Sequence, residues 1–355
     1  MNCEHWDCGW CYHVDGPKNG CLGSNNCPFK EYKTMTEKYK ALIIGAGSIG
    51  AMKPSEFDSP ESNQIYTHAH ACYSHPQIDL VGIVDIDVEK AEKAGNKWNT
   101  YWANNYNIIL MREQPDIIIV AVDTANHFKT LVDIIGYEPK AIICEKPFCS
   151  NYAEASEIIG LCEQAGIKLI INYTRSFVPE LKQLSDDLKN GEYGEIYNFT
   201  LRYSRGLLRE ASHAFHWCLQ TFGNKLVRLQ KEGNGYFYNE VEKGDYNPLL
   251  HYIANNCGNV VFIPIGGAYS TYNADIYTEK GRIELLNNWK TIRFHKLTKS
   301  TYGDYPATGL LFEDKQTQMD QALTFLLDFT LKNLYNTNID NSSALEVHKH
   351  LKLNA

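Results

Sequence analysis

Residues 41–50, ALIIGAGSIG, constrain the chain more than any other stretch. An apolar run suited to one buried strand ends in Gly45, Gly47 and Gly50, the spacing GxGxxG. Read as strand, turn and helix start, Gly45 permits a tight turn, Gly47 lets a pyrophosphate approach the backbone, and Gly50 lets the helix pack closely on the strand. Gly45, Gly47, Ser48, Ile49 and Gly50 would then hold phosphates on free N–H groups. Glycines also end strands for purely structural reasons, so the surroundings must decide.

Those surroundings alternate between strand and helix. Residues 78–85 (IDLVGIVD) and 116–122 (DIIIVAV) read as buried strands, and Asp87 is placed to cap a helix between them. A helix over 127–135, the strand AIICEK, a helix over 153–165 and the strand KLIINY follow. Alternation of this kind implies right-handed crossovers and a parallel, doubly wound sheet. One segment breaks the rhythm: MKPSEFDSPESNQIYTH carries Pro54 and Pro60 where one crossover is expected, and reads as an insertion that interrupts or follows the first helix.

From residue 196 onward, β-rich runs separated by Gly and Asn turns predict a large, mostly antiparallel sheet. Within it LLREASHAFHWCLQTFG has helical spacing, with Leu208, Ala211, Phe215, Cys218, Leu219 and Phe222 on one apolar face. Helices are expected again over 316–332 and 343–353. The expected organisation is a Cys-rich segment over 1–38, a Rossmann dinucleotide-binding domain over 39–173 and a substrate-binding and oligomerisation domain over 174–355.

A net charge of −8 leaves no basic stripe for nucleic acid, and no run approaches the length of a membrane span. The first residues lack the apolar core of a secretory signal, so a cytoplasmic location is expected. Six of the eleven cysteines sit in apparent core segments, and five crowd the first 27 residues. Cys8, Cys11, Cys21 and Cys27 have spacings compatible with a structural zinc knuckle, the first expectation for them. An unmetallated tail and an iron–sulfur site, suggested by Cys3-x4-Cys8-x2-Cys11, are the alternatives.

Asp85 ends the strand after the glycine turn, where a carboxylate can accept hydrogen bonds from an adenosine ribose and repel a 2′-phosphate. That favours NAD over NADP. Helix capping is the competing role for Asp85. Further on, the strand AIIC runs into Glu145, Lys146 and Pro147, at the carboxyl edge where open α/β sheets bind ligands.

The strand with GAGSIG, the acidic strand end, VDTANH and CEKP, in this order, resemble the Gfo/Idh/MocA family of nicotinamide-dependent sugar oxidoreductases. The resemblance implies that Lys146, with Glu145 beside it, contacts substrate and cofactor, and that Thr124 and His127 lie near the nicotinamide ribose. It implies Tyr173 and Arg175 near the substrate, and it aligns SHAFHWCLQTFG with the family's catalytic helix, making His213 the proton acceptor. Where relatives often carry Asp four residues before and three after that histidine, this chain has Arg209 and His216. Glu210 is placed to compensate by orienting the imidazole or binding a sugar hydroxyl, with an exposed helix charge as its plain reading. The implied activity is hydride transfer between NAD and a sugar or nucleotide sugar by a homodimer or homotetramer. A cofactor-binding regulator that has lost turnover is the alternative.

Overall fold

The computed structural model describes residues 38–223, 226–229, 245–265, 270–299, 307–336 and 339–351, with the backbone alone at 6–7, 10–11 and 238–242 and side chains left out at 307–311 and 351. Contacts divide the chain into two units, Met1–Tyr39 and Lys40–Ala355. In the first, Trp6–Asp7 pairs antiparallel with Trp10–Cys11. The side chains of Cys8, Cys11, Cys21 and Cys27, the expected zinc ligands, lie outside the described residues. Among the described residues no group of His, Cys, Asp and Glu is arranged to hold a metal ion.

From the unit boundary onward the elements are β1 (Tyr39–Ile44), α1 (His68–Ser74), β2 (Ile78–Val84), α2 (Val88–Lys97), β3 (Trp102–Ala103) and α3 (Tyr106–Glu113). They continue through β4 (Ile117–Val120), α4 (Thr124–Ile135), β5 (Ala141–Cys144), α5 (Tyr152–Gln164) and β6 (Lys168–Ile171). The six strands form a parallel sheet in the order β3-β2-β1-β4-β5-β6. Ile117 through Val120 and Ala141 through Cys144 are wholly buried, as expected of strands covered by helices on both faces. The short edge strand β3 and α3 went unnoticed in the sequence, because Trp102 and Ala103 offer no alternation and α3 has a weak apolar face.

Gly45 adopts φ +106°, and a Cβ there would stand 2.4 Å from the Ala121 carbonyl oxygen of the neighbouring strand end. A Cβ on Gly50 would stand 1.9 Å from the carbonyl oxygen of Gly45. Both positions therefore require glycine, for turning and for close packing respectively.

The proline-bearing insertion interrupts the first helix. After Gly47 the chain makes a single turn, in which the Ala51 and Met52 N–H groups donate to the Gly47 carbonyl, and then loops out. Helix α1 resumes it, because the N–H groups of His68 and Ala69 donate to the carbonyls of Ile49 and Gly50 at 3.0 and 2.9 Å. Asp58 clips the loop shut from inside. Its fully buried carboxylate accepts from Tyr66 N–H at 3.0 Å and Thr67 Oγ1 at 2.7 Å, and contacts His70 Nδ1 at 2.8 Å. Burial alone would push this carboxyl up; the bonds from His70, Tyr66 and Thr67 outweigh it and hold it below the usual aspartate value.

The remainder of the unit carries α6 (Pro179–Lys189), β7 (Ile196–Tyr203), a π-helical turn (Leu207–Ala211) and α7 (Ser212–Phe222). Strands β8 (Leu226–Arg228), β9 (Tyr238–Glu242), β10 (Asp245–Asn247), β11 (Leu250–Ala254), β12 (Cys257–Pro264), β13 (Tyr272–Thr278), β14 (Gly281–Leu286), β15 (Thr291–Thr298) and β16 (Ala307–Gln316) follow. Helices α8 (Ala322–Asn333) and α9 (Ser342–Leu351) close the chain. The eight-stranded sheet has the order β8-β11-β12-β7-β13-β14-β15-β16 and is antiparallel except at β12/β7. Alternate residues such as Phe199, Leu201, Ala274, Ile276, Ile283 and Leu285 face inward, where Phe199 packs among Trp217, Phe222, Phe262 and Trp289. Helix α7 is buried at every residue except Gln220, so the single apolar face expected of it is too narrow a description.

The Asp58 clip generates a stability prediction. Replacing Asp58 by Ala strands His70 and two other donors in a dry site and is expected to cost about 3 kcal/mol, read as a lower urea midpoint at unchanged slope. A loss below about 0.5 kcal/mol would show that the clip does not hold the loop.

Candidate active site

Two regions meet the expectations for chemistry. The first is a cavity of about 830 Å³ beside the glycine turn, whose walls include Gly45, Gly47, Asp85, Asn105, Asp123 and Asn126. A Cβ on Gly47 would meet nothing within 4 Å, so that glycine borders open space and leaves the backbone approachable from the cavity. Ser48 and Ile49 follow in the same turn, Ser48 exposed. Asp87 caps α2 by accepting from the N–H groups of Glu89 and Lys90, which frees Asp85 from that role. Asp85 instead joins the strand end to the turn, accepting from Ala46 N–H at 2.8 Å and Asp87 N–H at 3.0 Å. Each oxygen keeps a lone pair for a ribose hydroxyl. The glycine turn, the open space at Gly47 and a carboxylate in the wall fit an adenine dinucleotide.

Thr124 begins α4 and is half-buried. Both ring nitrogens of His127 face backbone carbonyls. Its Nε2 lies 2.8 Å from the Val122 carbonyl and its Nδ1 3.0 Å from the Pro147 carbonyl, so it ties the end of β4 to the segment after Lys146. Burial lowers its pKa despite these bonds, and a neutral ring donates to only one of the two.

Glu145 is likewise engaged within the protein. Its buried carboxylate lies 2.8 Å from His68 Nε2 and accepts from Asn172 Nδ2 at 2.6 Å. Burial pushes this carboxyl up, but His68, the Lys146 ammonium and Asn172 hold it below the usual range. His68 and Asn172 are partners of Glu145 that sequence reasoning missed. Only their place gave a signal: His68 opens the helix behind the insertion, and Asn172 precedes Tyr173 at the end of β6.

The second region surrounds Lys146, which the carboxyl end of β5 delivers to the edge of the sheet. Lys146 Nζ donates to the Arg209 carbonyl in the π-helical turn. Asp245 on β10 shapes that wide turn by accepting from the N–H groups of Leu208 and Arg209 at 2.9 and 3.0 Å. Burial lowers the Lys146 pKa, partly offset by Glu145, Glu210 and Asp245. The lysine is therefore more acidic than usual, as suits a group that hydrogen-bonds an oxygen changing charge.

His213 is buried on α7, and its Nδ1 has no hydrogen-bond partner among the described residues. Burial, with the charges of Lys146 and Arg175, pushes its pKa well below the ordinary histidine value, so the ring is neutral and able to accept a proton. The expected support from Glu210 is absent. Glu210 Oε1 pairs with Arg205 at 3.2 Å, and its other oxygen is buried without a partner. The π-helical turn spoils the i, i+3 stacking that the α-helical reading assumed. Burial raises the Glu210 pKa, against the pull of Arg205, Arg175, Arg209 and Lys146.

Tyr173 lies between the two histidines: His216 stacks on it with centroids 4.1 Å apart, and His213 meets its edge at 5.9 Å. His216 Nδ1 also contacts Ser176 Oγ at 2.9 Å, and burial pushes its pKa down to about 3. His216 thus belongs to the wall. Arg175 is buried with its guanidinium 4.0 Å over the ring of Tyr272, whereas the Arg209 side chain is exposed. A separate cavity of about 480 Å³ lies by His216, Ser176 and Trp217, and neither cavity is lined by Lys146 or His213.

Comparison with known proteins agrees with this layout. Residues 39–173 match the model of the oxidoreductase family with an NAD-binding Rossmann fold. The chain is 27% identical over 161 residues to the rhizopine catabolism protein MocA of Rhizobium meliloti, covering 45% of each chain. It is 26% identical over 171 residues to the D-glucoside 3-dehydrogenase of Escherichia coli, covering 47% of this chain and 43% of that one. The chain thus spans about half the length of the curated relatives it matches. Among solved structures, KijD10, a 3-ketoreductase from Actinomadura kijaniata in complex with NADP and TDP-benzene, superposes with a TM-score of 0.69 at 14% identity, over 88% of this chain and 95% of that one. The residues that match the family model, 39–173, are also those that form the parallel sheet.

Proposed function

We propose that the chain is an NAD-dependent oxidoreductase that moves hydride between the nicotinamide and a hydroxyl or keto carbon of a sugar or nucleotide sugar. The observation that carries this reading is a buried His213, its Nδ1 without a partner among the described residues and its pKa lowered in part by the charge of Lys146, beside a parallel sheet that opens with the glycine turn. Gly45, Gly47, Ser48, Ile49 and Gly50 would hold the pyrophosphate, with Asp85 on the adenosine ribose and Thr124 on the nicotinamide side. NAD, when bound, supplies the hydride acceptor. In the oxidative direction Lys146 hydrogen-bonds the reacting oxygen and stabilises negative charge building there, while His213 takes the hydroxyl proton. Reduction reverses these roles. Tyr173 and His216 form a rigid wall, and Glu210 is left to accept from a sugar hydroxyl.

The relatives support sugar chemistry by what they are named for, a D-glucoside 3-dehydrogenase and a 3-ketoreductase. The face of the large sheet that carries the ion pairs of Arg202 and Arg282 would serve a homodimer or homotetramer, in a cytoplasmic setting. No helix among the described residues is long and apolar enough to cross a membrane.

Absorbance at 340 nm with NAD or NADH and a panel of sugars and nucleotide sugars tests the reading. Lys146→Ala and His213→Ala are each expected to lower kcat by about 10²- to 10⁴-fold while NADH still binds. Nucleotide binding without turnover in the unaltered chain would favour the regulator reading instead. Because the folded pKa of His213 is depressed, its basic form persists as pH falls through 6.5, so kcat/KM for oxidation should not fall there with an ordinary histidine's titration. An acid limb near 6.5 that vanishes in His213→Gln would contradict this. For the cofactor, NAD is expected to bind roughly ten-fold or more tightly than NADP, and Asp85→Ser to erase that preference, as read by nucleotide fluorescence titration. Equal binding in the unaltered chain would remove Asp85 from that role.

A further inference from the structure

The π-helical turn and α7 run on as one helical stretch from Leu207 to Phe222, and the cap position before it is held by Gly206, which has no side chain to offer. The first N–H groups of a helix need acceptors, and a carboxylate there also meets the positive end of the helix dipole. A distant strand supplies one. Leu208 N–H donates to Asp245 Oδ1 at 2.9 Å and Arg209 N–H to Asp245 Oδ2 at 3.0 Å, one bond to each oxygen. Asn247, two residues along β10, holds the approach to the turn: its Oδ1 accepts from Gly206 N–H at 2.8 Å and its Nδ2 donates to the Ser204 carbonyl at 3.1 Å. Both side chains are buried. Gly206 has φ +90°, and a Cβ there would stand 2.1 Å from Asp245 Oδ2, so only glycine lets the carboxylate reach the turn.

Arg209 thus has its N–H on Asp245 and its carbonyl on Lys146 Nζ. A residue fixed at its nitrogen by a buried carboxylate presents its carbonyl in one direction, and the lysine that meets it is oriented accordingly. An ammonium carries three donors, so one bond to Arg209 leaves two for other acceptors. We infer that Asp245 is a positioning residue, which acts through the π-helical turn to hold Lys146 in its working orientation and sets its carboxylate charge against the ammonium. The charged neighbours of Lys146 are Glu145, Glu210 and Asp245, which favour the ammonium, and Arg175, which opposes it. Among the described residues Asp245 is the one joined to Lys146 Nζ through the hydrogen bonds of a single intervening residue. Burial pushes the Asp245 carboxyl up, and the N–H groups of Leu208, Arg209 and Leu207, with the Lys146 charge, pull it back.

Lys146 acts on a substrate only under the oxidoreductase reading, on which this inference rests, so one readout is chosen that needs no turnover. Trace acetylation of the full chain with acetic anhydride over a pH series, read by mass spectrometry of the peptide bearing Lys146, gives the pH at which the amine becomes reactive. In Asp245→Asn, which keeps the shape and removes the charge, that midpoint is expected to fall by about half a pH unit or more, because losing a facing carboxylate disfavours the ammonium. The same variant should lower kcat roughly ten-fold or more on whichever sugar the screen identifies, with NADH affinity held within about two-fold. Asn247→Ala loosens the same turn without removing a charge; it should lower Tm and leave the midpoint in place. An unmoved midpoint or an unmoved kcat in Asp245→Asn, an equal midpoint shift in Asn247→Ala, or a kcat loss matched by an equal loss of NADH affinity would overturn the inference. If the unaltered chain turns over no sugar, the oxidoreductase reading fails, while the labelling midpoint still decides whether Asp245 holds the lysine.

Discussion

The site depends on one buried interaction, the clamp of His68 and Asn172 on the Glu145 carboxylate. A carboxylate withdrawn from water requires partners, and here they arrive from two directions: α1 supplies His68 and the end of β6 supplies Asn172. Glu145 thereby fixes the backbone from which Lys146 projects, and its charge sustains that of the lysine against burial. His127 secures the far side by contacting the Pro147 carbonyl. The lysine is thus carried to the sheet edge on a backbone held from both sides by buried hydrogen bonds.

The insertion acquires a purpose in this light. It breaks the first crossover helix after one turn, and Asp58 then sets the angle at which α1 re-enters through bonds to Tyr66, Thr67 and His70. His68 lies in that same re-entering turn. A loop that looked like an interruption of the fold thus reaches Glu145 within a few residues of its end, linking local hydrogen bonding to the placement of Lys146.

Much of this was legible in the sequence, for reasons that can be named. Buried parallel strands are written as unbroken apolar runs, so β1, β2, β4, β5 and β6 were readable one at a time, and the glycine turn and Asp87 cap follow local rules. Lys146 and His213 could be singled out because their motifs are short and contiguous. What stayed hidden depends on contacts between distant segments. The partners of Glu145 lie 77 and 27 residues away, and nothing in THAH or NYTR announces them. The π-helical turn was invisible because its cause, Asp245, is a residue on another strand 36 positions from Arg209. Glu210 was consequently assigned to His213 on α-helical spacing, when it in fact pairs with Arg205.

The proposed activity is hydride transfer to and from a sugar carbon. Incubation with NADH deuterated at the transferable position of the nicotinamide, together with oxidised sugars, followed by mass spectrometry of the sugar, tests it directly. The account predicts deuterium bonded to the carbon that was the ketone. NADH that binds while every sugar in the panel remains unlabelled would contradict it.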